Sequence, residues 1–237
     1  MNLFYATDID GMILPAEIIL SEEESYHCIR VMRMSIQDPI SITDGKGNIY
    51  QAAITDGHPK KCRVTILRQE KHIPGRPYKV HLAVAPTKNI ERFEWFLEKA
   101  TEIGIDEITP LLCEHSERTT LRKERLEKIL VSAMKQSQNL YLPVLNEMCR
   151  FNDFVKQQKA EQKFIAYVTE RQDSLLKNCY RPGNDCTILV GPEGDFSRTE
   201  VENALKNGYT IVSLGNSRLR TETAAIVATH TIKLLNL

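Results

Sequence analysis

The sequence has no surplus of charge of either sign: 31 lysines and arginines stand against 31 aspartates and glutamates in 237 residues. That balance excludes a body basic enough to hold polyanions by bulk charge, so a nucleic-acid partner would have to be met by a local patch. The six cysteines (Cys28, Cys62, Cys113, Cys149, Cys179 and Cys186) include no C-x-x-C pair and no His/Cys spacing of a zinc site. Reduced, partly buried thiols and no metal are the expectation. No apolar run approaches the ~20 residues that span a bilayer. The start, MNLFYATDIDG, carries acidic residues where a secretory signal needs a basic region and an apolar core. A cytoplasmic chain with no membrane partner follows as an expectation. The dinucleotide fingerprint G-x-G-x-x-G, the phosphate loop G-x-x-x-x-G-K-[ST], H-E-x-x-H and G-x-S-x-G are missing as well.

What is present divides into two rhythms. Residues 1–72 read as a small β-rich domain. In DPISITDGKGNIYQAAITD, alternating strands flank Asp44-Gly45-Lys46-Gly47, whose glycines supply the positive φ of a hairpin, and CRVTIL is a further strand. Ser21-Glu22-Glu23-Glu24 reads as a capping box that starts a helix running on through SYHCIRVMRM. There His27, Arg30 and Arg33, three residues apart, fall near one face, either as a solvated polar face or as a strip for phosphates. KHIPGRPYK, residues 71–79, interrupts the pattern and reads as the linker.

Residues 73–237 form the second domain. Five short apolar strands, VHLAVAP, EITPLL, FIAYVTE, CTILVG and TIVSLG, are separated by helical segments. NIERFEWFLEKATEIG shows one apolar stripe of Ile90, Phe93, Phe96, Leu97, Ala100 and Ile103, closed by Gly104. A second helix is KERLEKILVSAMKQSQ. Strands alternating with helices predict a parallel sheet covered on both faces.

Two corners of that sheet carry the functional signal. CTILV ends in Gly191-Pro192-Glu193-Gly194, and a helix follows whose start is specified by Ser197 and Glu200, with Phe196 stapled against Val201 and Gly208 at its end. SLGNSRLRTETAAIVA, residues 213–228, repeats the design: a strand ending in Gly215, an irregular loop, then Thr221 and Glu222 opening a helix of small residues. Two consecutive units of this kind would set both loops side by side at the carboxyl edge, where parallel sheets bind ligands. Glycines there let backbone approach a ligand closely. Exposed amides with little clustered positive charge suit an adenine ring and an amino-acid moiety better than a triphosphate, which points toward S-adenosylmethionine.

GPEGDFS followed by SLGNSRLRTETA resembles the paired motifs of the bacterial 16S rRNA uridine N3-methyltransferases, a family of the SPOUT superfamily. PTKNIERFEWFLEKATEIGIDEITPLLCEHSER, KQSQ, HCIRVMRM and DGKGNIYQA extend the resemblance over nearly the whole chain. It implies an α/β fold in which a C-terminal SPOUT-type parallel sheet carries a deep trefoil knot, an exception to the rule that chains do not knot. It further implies a PUA-like RNA-binding β-barrel at the N-terminus, S-adenosyl-L-methionine as cofactor, a homodimer whose partner subunit completes the site, and one uridine of 16S rRNA in the small ribosomal subunit as substrate.

Carried onto this sequence, the resemblance assigns cofactor binding to Gly191, Pro192, Glu193, Gly194, Leu214, Gly215 and Leu219, with Thr169 at the end of the preceding strand. Arg220 is read as the catalytic cation that stabilises charge on uridine O2 and O4; the alternative is an arginine capping the loop through backbone carbonyls. Glu222 or Glu193 is read as proton acceptor, against the alternative that Glu222 only favours its helix start. RNA contacts are expected from Arg30, Arg33, Lys60, Lys61, Arg63, Arg118, Arg122 and Arg218. Three positions depart from the family pattern: Asp195 replaces a glycine, and Ser217 and Asn139 replace arginines. A non-catalytic RNA-binding or ribosome-assembly factor, and a related methyltransferase acting on another RNA, are the competing readings.

Overall fold

The computed structural model describes residues 3–7, 9–168 and 174–237. The chain forms two compact units, residues 1–75 with 134–142, and residues 76–133 with 143–237. The first boundary lies close to the expected linker. The return of residues 134–142 to the first unit differs from the expected division at residue 72/73.

In the first unit, β1 (Leu3–Tyr5), β2 (Ala16–Ile19), β3 (Pro39–Thr43), β4 (Asn48–Asp56) and β5 (Arg63–His72) make a sheet in the order β1-β3-β4-β5-β2. The hairpin forms as its sequence dictates, with β3 antiparallel to β4 and both Gly45 and Gly47 at positive φ. β4 alternates buried and half-buried residues along its length, and its inward side chains Tyr50, Ala52 and Ile54 join Phe4, Ile42, Val64 and Ile66 in the core. Each large aliphatic side chain buried there contributes about 1.5–3 kcal/mol.

The helix that opens at Ser21 is shorter than its pattern suggests. α1 spans Glu22–Tyr26, and the chain then widens into a π-helical turn, His27–Val31, with Arg33 in the left-handed region at φ 55°. His27, Arg30 and Arg33 therefore do not form an α-helical strip. The capping box is also half made: Ser21 Oγ accepts the Glu24 N–H, but the Glu24 carboxylate turns away to accept the Tyr5 N–H and to meet Lys135.

Lys135 belongs to the returning segment. There, Gly47 N–H donates to Leu140 O at 2.9 Å, Leu142 N–H to Gly45 O at 2.9 Å, and the Tyr141 hydroxyl to Ile73 O at 2.6 Å. A Cβ on Gly47 would strike the Tyr141 hydroxyl and lie 2.5 Å from Ile73 O, so the glycine serves this close approach as well as the turn.

The second unit holds a parallel sheet in the order β12-β10-β11-β6-β7-β8. Its strands are β6 (Val80–Val84), β7 (Glu107–Leu112), β8 (Val144–Leu145), β10 (Gln162–Ala166), β11 (Cys186–Val190) and β12 (Thr210–Val212), with β9 (Cys149–Arg150) also paired to β7. All five expected strands are present. β6 and β11 are buried at every residue, the signature of a sheet covered on both faces. The helices are α2 (Ile90–Ile103), α3 (Lys123–Ser137), whose last residues from Met134 on belong to the first unit, α4 (Phe151–Gln157), α5 (Leu176–Cys179), α6 (Arg198–Lys206) and α7 (Thr221–Leu235). α7 packs on α2, β6 and β11, and its Ala225, Ala228 and Ile232 are fully buried.

A buried polar group lies at the amino end of the sheet. His81 Nε2 meets Thr109 Oγ1 at 2.7 Å, and Asn146 donates to Glu107 and Thr109. Burial pushes the imidazole below its ordinary value of 6.5 and outweighs Glu107, whose carboxylate lies 3.7 Å away and acts in the opposite direction. A histidine depressed in the folded state leaves the fold fully stable above its unfolded value and destabilises it as pH falls through the folded one. Urea midpoints should accordingly fall as pH drops below 6.5, and His81→Gln should remove that part of the slope. An unchanged slope in the variant would exclude His81 as its source.

Candidate active site

The corner after β11 is built as its sequence requires. Ser197 Oγ accepts the Glu200 N–H while the Glu200 carboxylate accepts the Ser197 N–H, a complete capping box, and Phe196 and Val201 lie together in the core. The second Glu200 oxygen accepts the Glu114 N–H at 2.9 Å, so one buried carboxylate ties α6 to the loop after β7. Asp195 takes the left-handed conformation (φ 62°) and accepts the Phe196 N–H, which accounts for an aspartate where the family pattern has glycine. Burial raises its carboxyl above the ordinary value, against the opposing pull of that N–H and of Arg218 and His115. His115 Nδ1 donates toward Gly194 O and Asp195 O at 3.2 and 3.0 Å, and these carbonyls raise its pKa.

The two corners meet, although not as neighbours. β10 lies between β11 and β12 in the sheet, so its end (Ala166, Tyr167 and Val168) forms the wall between the loops. A direct bond still joins them: the buried Thr221 hydroxyl donates to Gly191 O at 2.9 Å. Together these segments line a cavity of about 610 Å³, within the ~300–1,000 Å³ range of small-molecule sites.

Of the residues expected to bind a cofactor, Gly191, Pro192, Glu193, Leu214, Gly215 and Leu219 line this cavity, and Gly194 does not. A Cβ on Gly194 would lie 3.1 Å from His115, and one on Gly191 would lie 3.2 Å from Phe196. Both glycines thus sit where a side chain would crowd its neighbour. Gly215 is different: at φ 135° its missing side chain would meet nothing within 4 Å. Among the described residues, the backbone amides of Leu214 and Asn216 donate to no protein group, leaving them for a ligand. Thr169 lies outside the described residues.

Arg220 lines the cavity as the residue before α7. Among the described residues its exposed guanidinium makes no hydrogen bond or ion pair, so it caps no carbonyl. Glu193 also lines the cavity, with one oxygen accepting the Lys88 N–H at 2.9 Å. Glu222 does not line it: the side chain is buried toward α2, 3.8 Å from Arg92 Nε.

The residues expected at RNA lie in several places. Arg218 lines the cavity beside Ser217. Arg118 is occupied structurally, donating to the carbonyls of Thr87 and Lys88 at 3.1 and 2.7 Å. Arg122 is exposed just before α3, and Asn139 lies in the segment that returns to the first unit. In the first unit, Lys60 pairs with Glu22 and Arg63 with Glu17, both at 3.1 Å on exposed surface and worth little. Arg30, Arg33 and Lys61 are exposed. Sequence reasoning missed His115, the Tyr167 wall and the second bond of Glu200. Only the strand FIAYVTE, whose end supplies Tyr167, was signalled locally.

Comparison with known proteins agrees with this geometry. Residues 74–233 match the family model described as RNA methyltransferase domain, and residues 20–67 match RNA methyltransferase PUA domain. The chain is 30% identical to Ribosomal RNA small subunit methyltransferase E of Rickettsia conorii, covering 93% of this chain and 91% of that one. A probable rRNA-methyltransferase from Porphyromonas gingivalis shares 42% identity and the same fold (TM-score 0.89), over 100% of this chain and 98% of that one. A putative methyltransferase from Legionella pneumophila, solved with SAM bound, is 28% identical with a TM-score of 0.88, over 99% and 97%.

Proposed function

This chain belongs to the RNA methyltransferase family, and from that premise we propose that it methylates N3 of one uridine in the RNA of the small ribosomal subunit, with S-adenosylmethionine as methyl donor. The observation that carries the reading is the joining of two strand–loop–helix corners around one cavity with an unpaired arginine, Arg220, in its wall.

The residues present fit that donor. Val190, Val212, Leu214 and Leu219 offer apolar surface for an adenine ring, the amides of Leu214 and Asn216 offer donors, and Gly215 leaves room beside them. When bound, S-adenosylmethionine supplies a methyl group on a positively charged sulfur, open to attack by a nucleophile. Uridine N3 becomes that nucleophile by losing its weakly acidic proton, which spreads negative charge onto O2 and O4. Arg220 stabilises this charge, because a guanidinium can donate two parallel hydrogen bonds to such oxygens. Of the two carboxylates expected to take the proton, Glu193 lies on the cavity wall and is assigned that role. Glu222 instead holds the start of α7 against Arg92.

The remaining implications of the family find partial support. Ser213 N–H donates to Ser174 O at 2.8 Å and Leu176 N–H to Ser213 O at 2.9 Å, so the chain leaving β12 runs along the connection between β10 and β11, in keeping with a knotted path. α7 leaves Ile226 and Val227 partly exposed, in keeping with a second copy packing there as a homodimer. No helix among the described residues is long and apolar enough to cross a membrane. A cytoplasmic site of action, where ribosomal subunits are assembled, belongs to the same reading.

The test is methyl transfer from labelled S-adenosylmethionine to small subunits lacking the modification, with naked rRNA and tRNA alongside, followed by nucleoside identification. N3-methyluridine at one rRNA site is expected. A different methylated nucleoside, or transfer only to tRNA, would overturn the substrate assignment. Failure of both transfer and cofactor binding would favour a non-catalytic RNA-binding factor. Thr221→Val, which leaves Gly191 O without its partner, is expected to weaken S-adenosylmethionine binding about tenfold, as read by calorimetry.

A further inference from the structure

In the second unit, β11, β6 and β7 are neighbouring parallel strands, so the loops that follow them emerge at one edge of the sheet. Hydrogen bonds join those loops in a ring. From the loop after β7, Arg118 donates through Nε to Thr87 O at 3.1 Å and through Nη2 to Lys88 O at 2.7 Å, both in the loop after β6. From that loop the Lys88 N–H donates to Glu193 Oε1 at 2.9 Å, in the loop after β11. His115 closes the ring, its Nδ1 reaching from the loop after β7 to Gly194 O and Asp195 O at 3.2 and 3.0 Å.

The Thr87 carbonyl and the Lys88 N–H are two ends of one peptide group. A trans peptide is planar and points its C=O and N–H in opposite directions. An arginine bound to the oxygen therefore fixes where the hydrogen is aimed. A donor on the oxygen also polarises the group and strengthens the bond its N–H makes. Glu193 needs such a fixed donor, because its side chain is exposed and a free glutamate samples many rotamers. Among the described residues its carboxylate accepts the Lys88 N–H alone, which leaves Oε2 without a partner on the cavity wall. The Lys88 ammonium is engaged elsewhere, 2.7 Å from Glu117.

We propose, resting on the assignment of Glu193 as proton acceptor, that Arg118 is a positioning residue for methyl transfer: it holds the Thr87–Lys88 peptide, whose N–H turns Glu193 so that Oε2 meets the uridine N3 proton. The proton passes from N3 to Oε2, its electron pair stays on N3, and the carboxylate becomes a neutral acid. Arg118 thus acts within its own chain, two hydrogen bonds away from the reacting atom, and its planar fork of donors is what spans two successive carbonyls.

The experiment follows single-turnover methyl transfer from labelled S-adenosylmethionine at several concentrations of small subunits lacking the modification. Full-length wild type, Arg118→Ala, Arg118→Lys, Glu193→Gln and the double variant Arg118→Ala/Glu193→Gln are compared. Glu193→Gln is expected to lower the maximal rate about 10²- to 10⁴-fold, as loss of a proton acceptor does. Arg118→Ala should lower it about 10- to 100-fold through misplacement of that acceptor, with S-adenosylmethionine affinity and the half-saturating subunit concentration unchanged. Arg118→Lys should fall between wild type and Arg118→Ala. The double variant should be no slower than Glu193→Gln, because Arg118 acts only through the carboxylate.

Losses that multiply in the double variant, or a fall in cofactor affinity that matches the fall in rate, would make Arg118 a general structural residue and overturn the proposal. A higher half-saturating subunit concentration at an unchanged maximal rate would overturn it by making Arg118 an RNA contact. If Arg118→Ala does not fold by circular dichroism, Arg118→Lys takes its place in the cycle under the same criteria. The readings fail separately. Wild-type protein that methylates no RNA sinks the enzymatic one, full rates in Glu193→Gln sink the proton acceptor and its positioning together, and wild-type rates in Arg118→Ala beside a slow Glu193→Gln sink the positioning role alone.

Discussion

Arg220→Ala is expected to slow methyl transfer by about 10²- to 10³-fold, the loss typical when one donor to a developing oxyanion is removed. The loss should fall on kcat, because the group acts on charge that appears only as the uridine proton leaves. Folding should be little affected. The guanidinium is exposed and bonds to no described residue, so its removal strands no buried partner. Arg220→Lys should restore only part of the rate, since an ammonium is a point charge and cannot match two oxygens at once. Single-turnover rates with saturating cofactor would check this. Wild-type rates in Arg220→Ala would remove the residue from the chemistry and leave Arg218, the other arginine on the cavity wall, as the cation to test.

Lys135→Met should destabilise the first unit by about 3 kcal/mol, the cost of leaving a buried charge without its partner. Glu24 is 4% exposed, and its carboxylate is held between the Lys135 ammonium and the Tyr5 N–H. Breaking the pair frees the segment that closes on the hairpin, so amide exchange should accelerate at Gly47 and Leu142, whose N–H groups bond across that contact. The double variant Glu24→Gln/Lys135→Met should recover most of the loss, because the glutamine oxygen can still accept from Tyr5 with no charge left to desolvate. Urea unfolding of Glu24→Gln, Lys135→Met and the double variant would test the cycle. A stable Lys135→Met protein would mean that water reaches Glu24 in solution.

The two corners were legible because they are local. Ser197 and Glu200 cap one helix within four residues, and Gly191 directly follows the last residue of its strand. The surroundings of Gly191 and Gly194 were not legible. A Cβ on Gly191 or Gly194 would crowd Phe196 or His115, and His115 comes from a loop 79 residues away in sequence from Gly194. Glu222 misled for a related reason: it opens the helix beside Arg220, but helical geometry turns it toward Arg92 on α2 and away from the cavity. Arg118, expected at RNA, donates to two carbonyls of its own chain.

By itself the sequence determined the order and kind of the elements. Strand alternation, helix stripes, caps and the hairpin glycines act over a few residues, and the five core strands, α2, α6 and the hairpin formed where those signals stood. The tertiary structure alone decided which distant segments meet. It set β10 between the two functional strands, returned residues 134–142 to the first unit, and followed α1 with a π-turn. Those outcomes depend on contacts such as Glu24 with Lys135 and Thr221 with Gly191. Their free energy arises only after the chain has closed long loops, and no window of neighbouring residues contains it.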